Sequence, residues 1–213
     1  MIDDIIQYHI DNEVNKRTPL CSLFEVYGSD KSTKHNYSGL YSKLFKRYED
    51  YPATYLEVGL GTNNTDVLSN MGPDGKPGAS LRAISTYYSK WTIVGLDIDR
   101  RVLFQEPERR ISTFFVDQLS PETIWNLWMT ELPDIQFDII LDDGLHLFEA
   151  NRVFFENSFH KLKEGGLYII EDIFDNVQLD LANRYFANLP YRYHIVQLPS
   201  EICSDNTLVI IEK

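Results

Sequence analysis

Thr54-Tyr55-Leu56-Glu57-Val58-Gly59-Leu60-Gly61 is a short apolar run that ends in two glycines. Such a run reads as a buried strand over 54–58, and the glycines after it let the backbone turn sharply or approach a ligand closely. The same pattern recurs along the chain. Strands are expected over 92–96, 112–116, 137–141 and 167–170, and a closing pair over 193–198 and 207–211. Helices are expected between them. One runs over 80–88, capped by Ser80. Another starts at Ser120 with Pro121 in its first turn and buries Ile124, Leu127, Trp128 and Leu132. A third covers 147–162 and ends at Gly165-Gly166, and a fourth covers 180–187. Upstream, Ile2, Ile5, Ile6 and Ile10 share a helical face, Tyr27 to Asn36 reads as an irregular polar stretch, and a helix is expected over 38–48. Strands interleaved with helices argue for an α/β chain with a doubly wound, mostly parallel sheet covered on both faces. The last two strands have no helix between them, which suggests an antiparallel hairpin.

The composition narrows the function. With 213 residues, 43% hydrophobic and 13% aromatic, the chain suits one globular domain. No apolar run approaches a membrane span, and the acidic start Met1-Ile2-Asp3-Asp4 is unlike a secretory signal. Cys21 and Cys203 lack partners at metal-ligand spacing and read as reduced thiols, so a cytoplasmic location is expected. The formal charge of −12 repels phosphate backbones, which argues against nucleic acid.

In a sheet of this kind ligands bind beyond the carboxyl ends of the strands. Acids gather there: Glu57, then Asp97 and Asp99, then Asp117, then Asp142 and Asp143, then Glu171 and Asp172. Gly59 and Gly61 let a cofactor approach. Asp97 can accept both ribose hydroxyls, and Asp117-Gln118 can read an adenine amino group. The helix after the glycines starts near Ser80, and its amides together with Arg82 can hold a carboxylate. A carboxylate at that position suits the methionine end of S-adenosylmethionine. Glu57 and Asp142 are counted with this cofactor-binding group. A dinucleotide fits less well, because Gly61 is followed by Thr62-Asn63-Asn64-Thr65 with no third glycine.

The other half of the edge suits chemistry. Asp143, Glu171 and Asp172 converge on one edge, where they repel one another unless a cation sits among them. Oxygen ligands alone suit magnesium or another hard divalent ion. His146 lies three residues beyond Asp143 and can take a proton from a hydroxyl. Cation and base together suit methyl transfer to oxygen. Upstream, His35, Tyr37 and Tyr41 are expected to shape the acceptor site by hydrogen bonding and stacking.

These residues also carry a resemblance. The matching pieces are Tyr27-Gly28-Ser29-Asp30-Lys31 with His35 and Tyr37, Glu57-Val58-Gly59, Gly78-Ala79-Ser80-Leu81-Arg82, Gly95-Leu96-Asp97-Ile98-Asp99, Asp142-Asp143-Gly144-Leu145-His146, and Gly165-Gly166-Leu167-Tyr168-Ile169-Ile170-Glu171-Asp172. From about Tyr27 to Lys213 the chain resembles the class I S-adenosylmethionine-dependent methyltransferases, and within them the magnesium-dependent macrolide sugar O-methyltransferases of the mycinamicin type. The resemblance implies a Rossmann-like sheet of seven strands in the order 3-2-1-4-5-7-6, with the last strand antiparallel. It implies that Asp143, Glu171 and Asp172 hold the metal and that His146 is the base. The acid spacing is also similar to that of catechol O-methyltransferase, which has a lysine at the position of His146. The macrolide enzymes carry a large N-terminal domain that the 213 residues do not include. The acceptor pocket is therefore expected from the N-terminal segment, from loops or from a partner subunit, which leaves a homo-oligomer open.

The expectation is thus one methyltransferase domain over 1–213, with a helical segment over 1–50 and the core over 51–213. Its acceptor would be a small molecule with a hydroxyl, such as a sugar or polyol. Three other readings compete: a hydroxylase or another enzyme on the same scaffold, a protein that only binds the cofactor, and a nicotinamide-dependent reductase.

Overall fold

The computed structural model describes residues 2–213, so Met1, at the head of the expected N-terminal segment, lies outside it. Eight strands form one sheet: β1 (Thr54–Val58), β2 (Thr92–Asp97), β3 (Gln105–Glu106), β4 (Ile111–Phe115), β5 (Phe137–Asp142), β6 (Leu162–Ile170), β7 (Arg192–Gln197) and β8 (Thr207–Glu212). Their order is β3-β4-β2-β1-β5-β6-β8-β7. The expected seven strands gain an eighth, the two-residue β3, which pairs antiparallel at the edge of β4. Without β3 the order reads as the resemblance implied. The pairings among β4, β2, β1, β5 and β6 are parallel, and β8 runs antiparallel to both β6 and β7.

Among the described residues, seven α-helices cover the sheet: α1 (Ile2–Asn12), α2 (Pro19–Tyr27), α3 (Tyr37–Leu44), α4 (Ala79–Tyr87), α5 (Pro121–Asn126), α6 (Phe148–Ser158) and α7 (Asn176–Phe186). Successive strand residues point to opposite faces, so the central strands feed two cores. Tyr55, Ile93, Ile139, Leu167, Ile169 and Ile210 pack with residues of α1 to α4. Leu56, Val94, Ile140, Tyr168 and Val209 pack with residues of α5 to α7. The central strands are therefore buried on both sides and lack polar alternation.

Four local expectations change. The helix α2 occupies residues left unassigned after Pro19. Thr18 caps it, Pro19 opens it, and Gly28 closes it in the left-handed region at φ 87°. Gly78, not Ser80, stands at the N-cap of α4, and Ser80 lies in its first turn. The third expected helix stops at Ser158, and β6 begins at Leu162 and runs through Gly165-Gly166. The fourth begins earlier, at Asn176, capped by Asp175. Among the described residues, no helix is long and apolar enough to cross a membrane.

Candidate active site

The site residues are fixed by the sheet itself, because the hydrogen-bond ladder continues one residue past the strands. Gly59 donates to the Leu96 carbonyl at 2.8 Å, Asp143 to Val58 at 3.0 Å and Glu171 to Asp142 at 2.9 Å. Gly59 and Asp143 thus lie side by side beyond β1 and β5. Gly59 has φ +91°, and a Cβ there would lie 2.0 Å from the Asp143 carbonyl oxygen. No side chain is compatible with that approach. Gly59→Ala is expected to cost on the order of 3 kcal/mol, from left-handed strain plus overpacking, read as a lower urea midpoint.

Three cavities meet here, and Gly61 and Asp143 line all of them. The first is a narrow cleft between the ends of β1 and β4, lined by Gly59, Gly61, Asp97, Asp117 and Gln118. Asp97 is 6% exposed and accepts hydrogen bonds from the amides of Leu60 and Asp99, both at 2.8 Å. Burial raises its pKa, against the pull of those amides. Gln118 is held on both sides. Its oxygen accepts from the Leu145 amide at 2.8 Å, and its nitrogen donates to Asp142 at 2.6 Å. Asp142 also accepts from Asn151 at 3.1 Å and is fully buried, so it orients Gln118 and does not face the cleft.

The second cavity is small, lined by Lys31, Gly59, Gly61, Lys76, Ser80 and Asp143 among others. Glu57, expected to meet the cofactor, is buried behind it. It accepts from the hydroxyls of Ser80 at 2.6 Å and Tyr55 at 2.7 Å. Arg82 lies outside all three cavities. Its guanidinium pairs with Glu106 at 2.7 Å, donates to the Pro77 carbonyl and stacks on Phe104. Loop residues between β1 and α4 enter the lining in its place, among them Leu68 and Ser69 in the first cavity and Met71 in the second. The loop is tied down by Asp99, which accepts from Thr62 at 2.6 Å and Asn64 at 2.7 Å.

The third cavity is wider, about 810 Å³, and Asp143, His146 and Asp172 line it. Donor atoms of these three lie within 4.8 Å of one another, close enough to hold one cation. His146 Nε2 is 3.9 Å from Asp143 Oδ1, and His146 Nδ1 is buried without a hydrogen-bond partner. His146 has φ 58° and Asp172 has φ 55°, both in the left-handed region that non-glycine residues rarely adopt. Strain of this kind persists where the surroundings over-determine it, as at functional sites.

Glu171, expected as the third carboxylate, is engaged elsewhere. One oxygen accepts from Lys31 at 2.6 Å and the other from the Tyr41 hydroxyl. His35, Tyr37 and Tyr41, expected to touch the acceptor, are at most 3% exposed and do not line the third cavity. They form a support behind the acids. Tyr37 donates to Asp172 Oδ1 at 2.6 Å, and His35 Nδ1 lies 3.4 Å from the same oxygen and stacks on Tyr37. The physical reason is hydrophobic. The same helix face that carries Tyr37 and Tyr41 also carries Leu44 and Phe45 into the core.

Lys31 was missed. Its ammonium is 2% exposed and lies 2.5 Å from Asp143, 2.6 Å from Glu171 and 3.5 Å from Glu57. Burial alone would lower its pKa, but the three carboxylates outweigh it and hold the pKa well above the ordinary value. Burial would likewise raise the pKa of Asp143, and Lys31 and His146 outweigh it, so that carboxyl stays below its usual range. Burial pushes Glu171 well up despite Lys31, and burial also raises Asp172.

No family model matches the chain. Over 154 residues, 72% of the chain, it is 31% identical to the 8-demethyl-8-alpha-L-rhamnosyl tetracenomycin-C 2'-O-methyltransferase of Streptomyces olivaceus, 37% of which is covered. Over 162 residues, 75% of the chain, it is 32% identical to the L-olivosyl-oleandolide 3-O-methyltransferase of Streptomyces antibioticus, 38% of which is covered. The chain thus spans just over a third of the length of these curated relatives. Among solved structures, the mycinamycin-pathway methyltransferase MycE, in complex with Mg, SAH and mycinamycin VI, matches with a TM-score of 0.69 at 25% identity, covering 93% of this chain and 55% of that one. By sequence and by fold the chain belongs to the class I S-adenosylmethionine-dependent methyltransferases, and its relatives within them are antibiotic-sugar O-methyltransferases.

Proposed function

We propose that this protein transfers a methyl group from S-adenosylmethionine to a hydroxyl of a sugar-bearing small molecule, with magnesium or another divalent ion as cofactor. The observation that carries this reading is the continuity of the cavities through Gly61 and Asp143. It brings an adenosine-type cleft into contact with a cavity holding two carboxylates and a histidine.

Bound S-adenosylmethionine supplies an activated methyl group, and a bound divalent ion polarises the acceptor's oxygens. The chain's own residues do the rest. Gly59 and Gly61 let the backbone close on the cofactor. Asp97 accepts the ribose hydroxyls, and Asp117 and Gln118 face the base. Asp143 and Asp172 are suited to the ion, each with one oxygen free of the hydrogen bonds described above. Oxygen donors in this number leave positions for an acceptor. His146 takes the proton from the acceptor hydroxyl as the carbon–oxygen bond forms and the carbon–sulfur bond breaks. Positioning and proton removal are the main tasks, since the methyl group is already activated.

Calorimetry with S-adenosylhomocysteine tests the cofactor half. Binding should be measurable without metal, and Asp97→Ala should weaken it by roughly 1–3 kcal/mol, the scale of lost hydrogen bonds to a charged group. Absence of binding, with NAD bound instead, would sink the proposal. Labelled-methyl transfer to glycosides, with and without magnesium, tests the acceptor half.

A further inference from the structure

A buried lysine that shares a carboxylate with a proposed metal site is a physical contradiction unless it has a task. A divalent ion and an ammonium repel each other, and both seek the same carboxylates. Lys31 Nζ lies 2.5 Å from Asp143 and 2.6 Å from Glu171, two of the three acids that the sequence assigns to the ion. It is 2% exposed, so water cannot take over its hydrogen bonds.

The arrangement divides the oxygens. Asp143 gives Oδ2 to Lys31, while its Oδ1 is turned towards His146. Glu171 gives one oxygen to Lys31 and the other to Tyr41. Asp172 stands outside the reach of Lys31 and rests on Tyr37. Lys31 thus fixes which carboxylate oxygens face the third cavity, and it neutralises part of the charge that would otherwise draw a divalent ion in.

We infer that Lys31 is a tethered counter-cation of the metal site. It is a positioning residue that holds Asp143 and Glu171 in place without metal and competes with the divalent ion for them. The inference rests on the metal reading given above. It carries a sign that a purely structural role would not. Unlike a structural prop, whose loss loosens the site and weakens metal binding, a competitor strengthens metal binding when it is removed.

The test is magnesium and manganese calorimetry on the full chain without cofactor. Lys31→Met should bind manganese at least tenfold more tightly than the wild type, and Lys31→Arg, which keeps the charge, should stay near wild type. Because Lys31→Met leaves three acids without a counter-ion, it can fail to fold. The same substitution is therefore also made in a Glu171→Gln background, where one buried acid is already neutral. There too it should raise affinity over Glu171→Gln alone. Unchanged or weaker metal binding on losing the lysine, in whichever background folds, overturns the inference. If the wild type binds metal and the lysine variants bind no more tightly, only the inference falls. If no form binds metal, the metal reading falls with it.

Discussion

Asp143→Ala should remove methyl transfer, by roughly 10²–10³-fold or more, the scale of deleting a preorganised electrostatic group, while S-adenosylhomocysteine still binds. The two halves separate because Asp143 faces the cofactor side through its backbone and the third cavity through its side chain. Its carbonyl packs against Gly59, and alanine keeps that carbonyl. Its carboxylate, 21% exposed at the cavity, is what the substitution removes. Lys31 retains Glu171 at 2.6 Å, so the buried ammonium is not orphaned. Chelation of the wild type should have the same effect, and added magnesium should restore the chelated wild type but not the variant. The measurement is labelled-methyl transfer beside calorimetric cofactor binding. Full turnover after exhaustive chelation would show that the acids serve another purpose.

His146 should be worth about 10²–10⁴-fold in rate, the usual contribution of a general base. Alanine is an imperfect probe here, because the backbone at His146 is left-handed, at φ 58°. Asparagine tolerates that region far better. His146→Asn therefore separates the loss of the base from the loss of backbone shape. A His146→Asn protein with undiminished rate would move the base elsewhere. Asp142 is a poor substitute, since both of its oxygens are occupied by Gln118 and Asn151 and it is fully buried.

Much of this was legible in the sequence because each central strand is a continuous apolar run that ends in an acid or glycine. Buried parallel strands permit little else, so β1 falls on its expected residues and β2 and β5 extend by only one. The two-residue β3 left no such signature, since an edge pair has no core face to declare it. Gly165-Gly166 read as a helix stop, but only Gly165 takes a positive φ, and it does so inside β6. Local turn chemistry alone does not distinguish a helix end from an irregular strand. Topology gathers the acids at the strand ends, so their place at the cavities, as for Asp97, Asp143 and Asp172, was legible. Orientation was not legible. Glu57 and Arg82 lie near the cleft in sequence but turn to Ser80 and Glu106. Lys31 stands among the pieces that carry the resemblance but has no role in the sequence reading, for the same reason: a lysine in a polar stretch reads as surface, and only the packed structure brings it to acids 112 and 140 residues away.

Among the described residues, the strand latest in the chain is the one that joins the sheet on the side of the acids. β8 inserts between β6 and β7, and its first residue, Thr207, accepts from the Ile173 amide next to Asp172. Asp205, just ahead of it, accepts the Tyr37 hydroxyl that also supports Asp172. Contacts of such long sequence separation close late, because the chain entropy they cost must be offset by structure already formed. During synthesis on the ribosome, the first cavity, whose lining runs no further than Leu145, can therefore form before Asp172 and its support settle. On the function proposed above, the nascent chain would be able to bind nucleoside first and would become competent for chemistry only when the β7–β8 hairpin docks.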